Sequence, residues 1–383
     1  MPSPVNIIIF GASVRAAAFS ALRVGLQPWC VDLFADQDLK MRCAVRRLPF
    51  RYYPHGFEAI STQGPPGPWI YTGGMENHPA LIERISEKRC LWGNGSAALA
   101  LARSPMILAE VFRLNGVRYP VTLSSSIDLP RVGRWLVKPV KSAGGVGIRF
   151  ADLRRERRPG NQVYFQEYIE GIPCSALFAG YEQDAHLLGV TRQLVGEPWL
   201  HSAPFHYCGS IGPLKFEAAT QKILNKIGNV LIRHCHLRGL FGVDFILENG
   251  ISWPVEVNPR YPASVEILEY GEGIQALSWH RAAFDPDAAK TAGTTLQKSV
   301  VGKAILFAKF PIEFPREGPW TRSLTHPKLI GEMPAFADIP SAGQLIEAGK
   351  PILTFFSRSG SVSGCLDNLK QIARDLDQCL WKT

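Results

Sequence analysis

Several familiar signatures are missing from this chain. Its eight cysteines include no CxxC pair, and no CxxC is matched with an HxxxH spacing. That removes the usual patterns for a zinc finger and leaves scattered reduced thiols as the expectation. No segment has the long uncharged apolar run of a membrane span. The start, MPSPVNIIIFGASVRAAAF, has no basic residues before its apolar run, and IIIF is too short for a signal core. It reads as a buried strand of a cytoplasmic protein. GxxxxGK[ST] is absent, which excludes a P-loop. With no GxSxG and no recognisable Cys/His pair, no covalent nucleophile is expected. There is no internal repeat and no low-complexity tract.

The chain has 383 residues, of which 46% are hydrophobic, which suits two or three globular domains. Its net charge of +9 fits an anionic ligand, nucleic acid or a membrane surface. The basic residues are dispersed except in DLRRERRPG, Asp152 to Gly160, which reads as a solvated turn. A nucleic-acid groove would interleave aromatic and basic residues. No such stripe is evident, so neither nucleic acid nor membrane is expected as a partner.

Residues 5–10 read as a strand, GASVR as a turn, AAAFSALRVG as a helix and PWCVDLF as a second strand. This is an α/β start. A dinucleotide fingerprint would need three glycines, but only Gly11 is present, with Ser13 and Ala16 in the other places. The nicotinamide reading is therefore set aside, although Asp32 stands near the position of a ribose-binding acid. WIYTGG, PALIERISEK and CLWG carry strand, helix and strand to about Gly93. SPMILAEVFRLNG reads as a helix. So do residues 217–237, with Ile223, Leu224, Ile227, Val230, Leu231 and His234 on its apolar stripe. From about Ser299, VVGKAILFAKF begins a small α+β cap that ends in the helix LDNLKQIARDLDQCLW.

Three stretches carry candidate chemistry. WLVKPVKSAGGVGIRF reads as strand, glycine loop, strand, with Lys138 ahead of Gly144, Gly145 and Gly147. Small residues let backbone N–H groups approach phosphate oxygens, and the lysine adds a point charge. VYFQEYIEG is a strand running into a turn that carries Glu167 and Glu170. GLFGVDFILENGISWPVEVNPR is a hairpin around Asn249-Gly250. In its second strand Glu256, Asn258 and Arg260 share one face, with Val255 and Val257 on the other. A two-residue turn would set Asp244 opposite Val255. For Asp244 to share a face with Glu256 and Asn258, an odd loop is required, so a three-residue loop with Gly250 in a bulge is expected. The three side chains would then offer oxygens to one hard cation.

In this order, KPxxSxGGxG, QEYIEG, GVD and EVNPR resemble the ATP-grasp superfamily, and the resemblance covers most of the chain. It implies a Rossmann-like α/β pre-ATP-grasp domain over 1–93. The ATP-grasp fold would follow as two α+β subdomains, 94–165 with the glycine loop and 166–295 with the metal site. A small C-terminal α+β segment, 296–383, completes it. The resemblance implies ATP with Mg²⁺ (or Mn²⁺). It assigns Lys138 to the α- and β-phosphates, and Ser142, Gly144, Gly145 and Gly147 to the loop that closes over them. Gln166, Glu167, Tyr168 and Ile169 would meet adenine, and Glu170 the ribose. Asp244, Glu256 and Asn258 would hold the metal, and Arg260 would face the reacting phosphoryl group. Arg103 stands nearest the place of an earlier phosphate lysine. TRQLVGEPW, HYCGSIGP and RYPASVE are the stretches expected to meet substrate, with Arg192, Tyr261 and Ser264 the candidate residues and the Arg192 charge suited to a substrate carboxylate. The implied activity is an ATP-dependent carboxylate–amine ligase with an acylphosphate intermediate, acting on a small amino-acid-like carboxylate, with tyramine–glutamate-type ligases among the first guesses. No carrier-lysine motif such as MKM appears, which weighs against a biotin-dependent carboxylase. The alternative is a Mg-ATP-binding regulatory protein without catalysis. A homodimer is left open.

Overall fold

The structure is a computed structural model and describes residues 5–126, 129–130, 132–152, 162–288 and 299–381. Most of the basic cluster within 152–160 lies outside the described residues. The N-terminal unit is a four-stranded parallel sheet in the order Ala44–Arg47, Gln27–Asp32, Asn6–Phe10, Trp69–Tyr71. The apolar run Ile7–Phe10 is fully buried, as a central parallel strand covered on both faces should be. CLWG adds only a single bridge, Leu91 to Trp69. Asp32 does not wait for a ribose: its carboxylate accepts the N–H groups of Val14, Phe34 and Ala35, each at 2.7 Å. A side chain at Gly11 would sit 1.8 Å from Thr72 Oγ1. The first turn is thus filled by its own chain.

A smaller sheet follows, in the order Thr122–Leu123, Val163–Glu167, Trp135–Pro139, Arg149–Phe150. The glycine loop joins its last two strands. The third sheet has eight strands and is antiparallel throughout. Its order is Ile251–Asn258, Gly239–Glu248, Ile172–Tyr181, Asp184–Val195, Tyr207–Gly212, Val300–Phe307, Pro351–Ser359, Phe336–Ala337. The C-terminal strands therefore extend the sheet that carries the candidate metal hairpin, and the helix Val362–Leu380 packs on that extension.

The helix Ala218–Cys235 buries Leu224, Ile227, Val230 and Leu231, as its periodicity predicts. Ile223 and His234 are exposed instead, and Gly228, Ile232 and Cys235 complete the buried face. One hydrophobic cluster joins Ala17 and Ala18 of the N-terminal unit to Leu177, Leu240, Tyr261, Val265 and Leu268 of the large sheet and its helices. That shared core brings the ends of the parallel strands up to the segment after the hairpin.

Candidate active site

The hairpin reaches the expected pairing by an unexpected device. Glu248 pairs with Ile251, so the turn is the two-residue Asn249-Gly250, both residues with positive φ (47° and 81°). The extra residue is Val255, bulged between the Asp244–Glu256 and Phe245–Pro254 pairs. Pro254, which has no N–H to give to the ladder, stands beside the bulge. Asp244 thus faces Glu256, and Gly242 faces Asn258. Val257 is in the core, but Val255 lines the cavity beside Glu256, so the two valines do not share a face.

Two half-buried carboxylates side by side are electrostatically unbalanced. Burial and the neighbouring Glu256 push the Asp244 carboxyl up to about 6, against the pull of Ser175, Gln193 and Arg260. For Glu256, burial acts upward, but Arg103, Lys138 and Arg260 hold it below the usual range. Asn258 Nδ2 donates to Asp244 Oδ2 at 3.0 Å. Adjacent oxygen donors and one carboxylate with a raised pKa suit a hard divalent cation.

Lys138 rises from the small sheet to meet this hairpin. Its Nζ donates to Gln166 Oε1 at 3.0 Å and to the bulged Val255 carbonyl at 3.2 Å. Burial pushes its ammonium below its ordinary pKa, although Glu256 and Asp244 pull the other way. Arg103 sits at the C-terminal end of the helix Ser96–Ala102, which the sequence reading missed. Its guanidinium binds Glu256 Oε1 at 2.7 Å, the Val257 carbonyl at 3.2 Å, Asn77 Oδ1 at 3.2 Å and the Ser142 carbonyl at 3.1 Å. It therefore braces a candidate metal ligand and the stem of the glycine loop.

The loop uses its glycines as the motif requires. Gly144, Gly145 and Gly147 have φ of 62°, 79° and 82°, a region costly for other residues. The Gly144 carbonyl accepts the Tyr207 N–H at 3.0 Å. A Cβ at Gly145 would fall 1.9 Å from the Phe205 carbonyl oxygen. Phe150 packs on both Tyr168 and Phe205, with ring centroids 5.2 and 5.3 Å apart. The loop lies down on the large sheet. Ser142 Oγ is spent on the Val146 carbonyl at 2.8 Å.

Arg260 follows the hairpin. Its Nη2 donates to Asn258 Oδ1 at 3.1 Å, Nη1 to the Tyr261 carbonyl at 3.1 Å, and Nε to Glu76 Oε1 at 2.8 Å.

Most of these groups line one cavity of about 230 Å³ between the two sheets, but Arg103 and Ser142 do not line it. Among the sequence candidates, Lys138, Gly144, Gly145, Gln166, Glu167, Tyr168, Ile169, Asp244, Glu256, Asn258, Arg260 and Ser264 line it. Glu167 also accepts the Val121 N–H at 3.2 Å. Gly147 turns the loop against Pro139, and Glu170 is exposed beyond the linker. Arg192 and Tyr261 are not among the lining residues. Strand alternation brings Gln193 to the cavity in place of Arg192. Tyr261 is buried and donates to the Ala16 carbonyl at 3.1 Å. Gln193, Tyr207 and Ser210 line the cavity from TRQLVGEPW and HYCGSIGP, two of the stretches expected to meet substrate, whereas Ser175 and Phe205, also lining residues, belong to no motif. Ser264 is 2% exposed, and its Oγ makes no hydrogen bond among the described residues.

Residues 105–264 match a family described as the ATP-grasp domain. An uncharacterised protein of Methanocaldococcus jannaschii is 24% identical over 249 residues, 64% of this chain and 54% of its own. The chain thus spans about half the length of that relative. An L-amino acid ligase structure from Bacillus licheniformis superposes with a TM-score of 0.72 at 15% identity, covering 98% of each chain. The biotin carboxylase domain of a 2-oxoglutarate carboxylase from Hydrogenobacter thermophilus, solved with MgADP, ADP and bicarbonate, gives 0.69 at 13% identity, covering 94% of this chain and 88% of that one. The expected ATP-grasp fold is therefore found.

Proposed function

We propose, for a chain that carries an ATP-grasp domain over residues 105–264, that it is an ATP-dependent carboxylate–amine ligase acting on a small, amino-acid-like carboxylate. One observation carries this reading. Lys138, the glycine loop, the Gln166–Ile169 linker, the Asp244–Glu256 pair and Arg260 meet around a single cavity. The likeness to an L-amino acid ligase supports the substrate class. A tyramine–glutamate type is one member of that class.

In this reading adenine lies against residues 166–169, and Lys138 with the loop N–H groups holds the phosphates. Asp244, Glu256 and Asn258 would hold Mg²⁺, which would supply positive charge to offset the negative charge of the phosphates. A carboxylate oxygen of the substrate attacks the γ-phosphorus, and ADP leaves. Arg260 stabilises the charge that develops on the transferring group. An amine then attacks the acyl carbon of the acylphosphate, and phosphate departs. The loop resting on Phe205–Tyr207 excludes water from that intermediate. The Ser264 hydroxyl, which has no partner among the described residues, supplies hydrogen bonds for the substrate together with Tyr207 and Ser210.

A second reading rests on the Arg103–Glu256 ion pair, which occupies one oxygen of a metal ligand. It makes the chain a regulatory module that binds Mg-ATP without turnover.

The test is thermal stability with and without Mg-ATP, with EDTA as control, for wild type and Glu256→Gln. A ligand at a hundred times its Kd stabilises by about 2.7 kcal/mol. A metal-dependent shift weakened in the variant supports the site and leads to a screen of carboxylate–amine pairs for ADP release. Binding without release under any pair favours the regulatory reading. No shift at millimolar Mg-ATP overturns both.

A further inference from the structure

We infer that Glu76, from the N-terminal unit, is a positioning residue for Arg260, which makes that unit part of the catalytic machinery. This inference rests on the ligase reading above. Glu76 lies in the turn Met75–Asn77, beyond the end of the parallel strand Trp69–Tyr71. In parallel sheets, the carboxyl ends of the strands face ligand crevices. Its side chain is 1% exposed, and its Oε1 accepts from Arg260 Nε. Its Oε2 has no hydrogen-bond partner among the described residues. A carboxylate buried this deeply is costly unless a cation answers it, and Arg260 is the cation it touches.

The backbone around Glu76 is shaped to the same guanidinium. A Cβ at Gly73 would lie 3.3 Å from Arg260 Nη2, so the missing side chain leaves room for it. Gly74 turns with φ of 95°. Asn77, which follows Glu76, pins the turn: its Nδ2 donates to the Ser142 carbonyl at 3.1 Å, and its Oδ1 accepts from Arg103 Nη2. One short turn of the N-terminal unit thus meets Arg260 and the stem of the glycine loop. A guanidinium fixed through Nε by Glu76 and through Nη2 by Asn258 has its plane defined, as in-line phosphoryl transfer requires of a charge-stabilising group.

Steady-state ADP release from Mg-ATP is the test, with the best carboxylate–amine pair from the screen. Glu76→Gln should lower kcat by about tenfold to a hundredfold and leave KM for Mg-ATP within about threefold. Glu76→Asp, which keeps the charge, should recover part of the loss. Added to Arg260→Ala, Glu76→Gln should change kcat by less than about twofold, since two residues acting as a unit are not additive. Circular-dichroism melts of each variant report folding separately. Wild-type kcat in Glu76→Gln, or a full independent loss in the double variant, overturns the inference while the ligase reading stands. Wild type that releases no ADP with any pair, whether or not it binds Mg-ATP, overturns the ligase reading, and this inference with it.

Discussion

Arg103 Nη1 lies 2.7 Å from Glu256 Oε1, and the two residues are separated by 153 positions in the chain. The arginine stands where the resemblance led us to expect a phosphate lysine, yet it spends its fork on protein groups. Besides Glu256 it holds two backbone carbonyls and Asn77. A lysine has no planar fork and could not hold that set in the same way.

Arg103→Ala should therefore destabilise the nucleotide-free protein by about 2 kcal/mol, the scale of a hydrogen bond to a charged group. Arg103→Lys should recover only part of this. Urea midpoints at pH 7 in the absence of Mg-ATP measure it. An unchanged midpoint in Arg103→Ala would remove the bracing role and restore a purely phosphate-binding one.

Metal binding should depend on pH through Asp244. Its carboxyl is pushed up to about 6 by burial and Glu256, so below that pH the folded protein holds a proton where the cation must bind. Affinity for Mg²⁺ should rise as pH increases through about 6, with proton release on binding in that range. In the metal-free fold the sign is opposite. A carboxyl whose folded pKa exceeds its unfolded one loses stability as pH rises through the same window. Titration calorimetry of Mg-ATP in buffers of different ionisation enthalpy counts the protons. Flat affinity and no proton release between pH 5 and 7 would remove Asp244 from the site.

Closure of the glycine loop leaves no room at Gly145. A methyl group there meets the Phe205 carbonyl oxygen at 1.9 Å and sits on a residue with φ of 79°. Gly145→Ala should leave the melting temperature without nucleotide within a few degrees, because the loop can lift away. It should weaken Mg-ATP by about tenfold, or about 1.4 kcal/mol. At Gly144 the space is open and φ is 62°, so alanine meets strain there without a clash. Gly144→Ala should be the milder of the two. Equal effects would mean that backbone strain, not docking on Phe205, governs the loop.

Local pattern and long-range contact divide what the sequence made legible. The strand Asn6–Phe10, the helix Pro105–Leu114 and the hairpin were readable because apolar spacing, Pro and Asn-Gly act within a few residues. The Asp244–Glu256 pairing was foreseen by parity, but the device was misplaced. Asn-Gly keeps its preferred two-residue turn, and the odd residue goes to the bulge at Val255. Arg192 was chosen for its charge, and strand alternation favours Gln193. Glu76 carried no local signal at all. Its meaning lies in Arg260, 184 positions away, and only packing of the N-terminal unit on the large sheet brings them together.

The same packing rests on a buried ionic knot that offers the last prediction. Arg15 and Glu266 are 1% and 0% exposed and form a two-pronged pair. Arg15 also binds Asp338 at 2.8 Å, and Lys303 reaches Glu266 at 3.3 Å. The N-terminal unit, the helix Val265–Glu272 and the C-terminal strands are joined there. Burial alone would raise the Glu266 carboxyl, but Arg15 and Lys303 pull it down to about 2. A carboxylate with a depressed folded pKa contributes stability above its unfolded value, near 4.5, and that stability is lost as pH falls toward 2. Arg15→Ala leaves Glu266 with one cation in place of two. It should cost about 3–5 kcal/mol at pH 7, the range for breaking a buried pair. Its acid unfolding should also begin at a higher pH than in wild type, since Glu266 protonates sooner. Arg15→Ala combined with Glu266→Gln removes both charges and should recover part of the loss. Urea midpoints across pH 3 to 7 for the three proteins decide it. If the double variant is no more stable than Arg15→Ala, the loss comes from Asp338 and the packing around Arg15, and the Glu266 account fails.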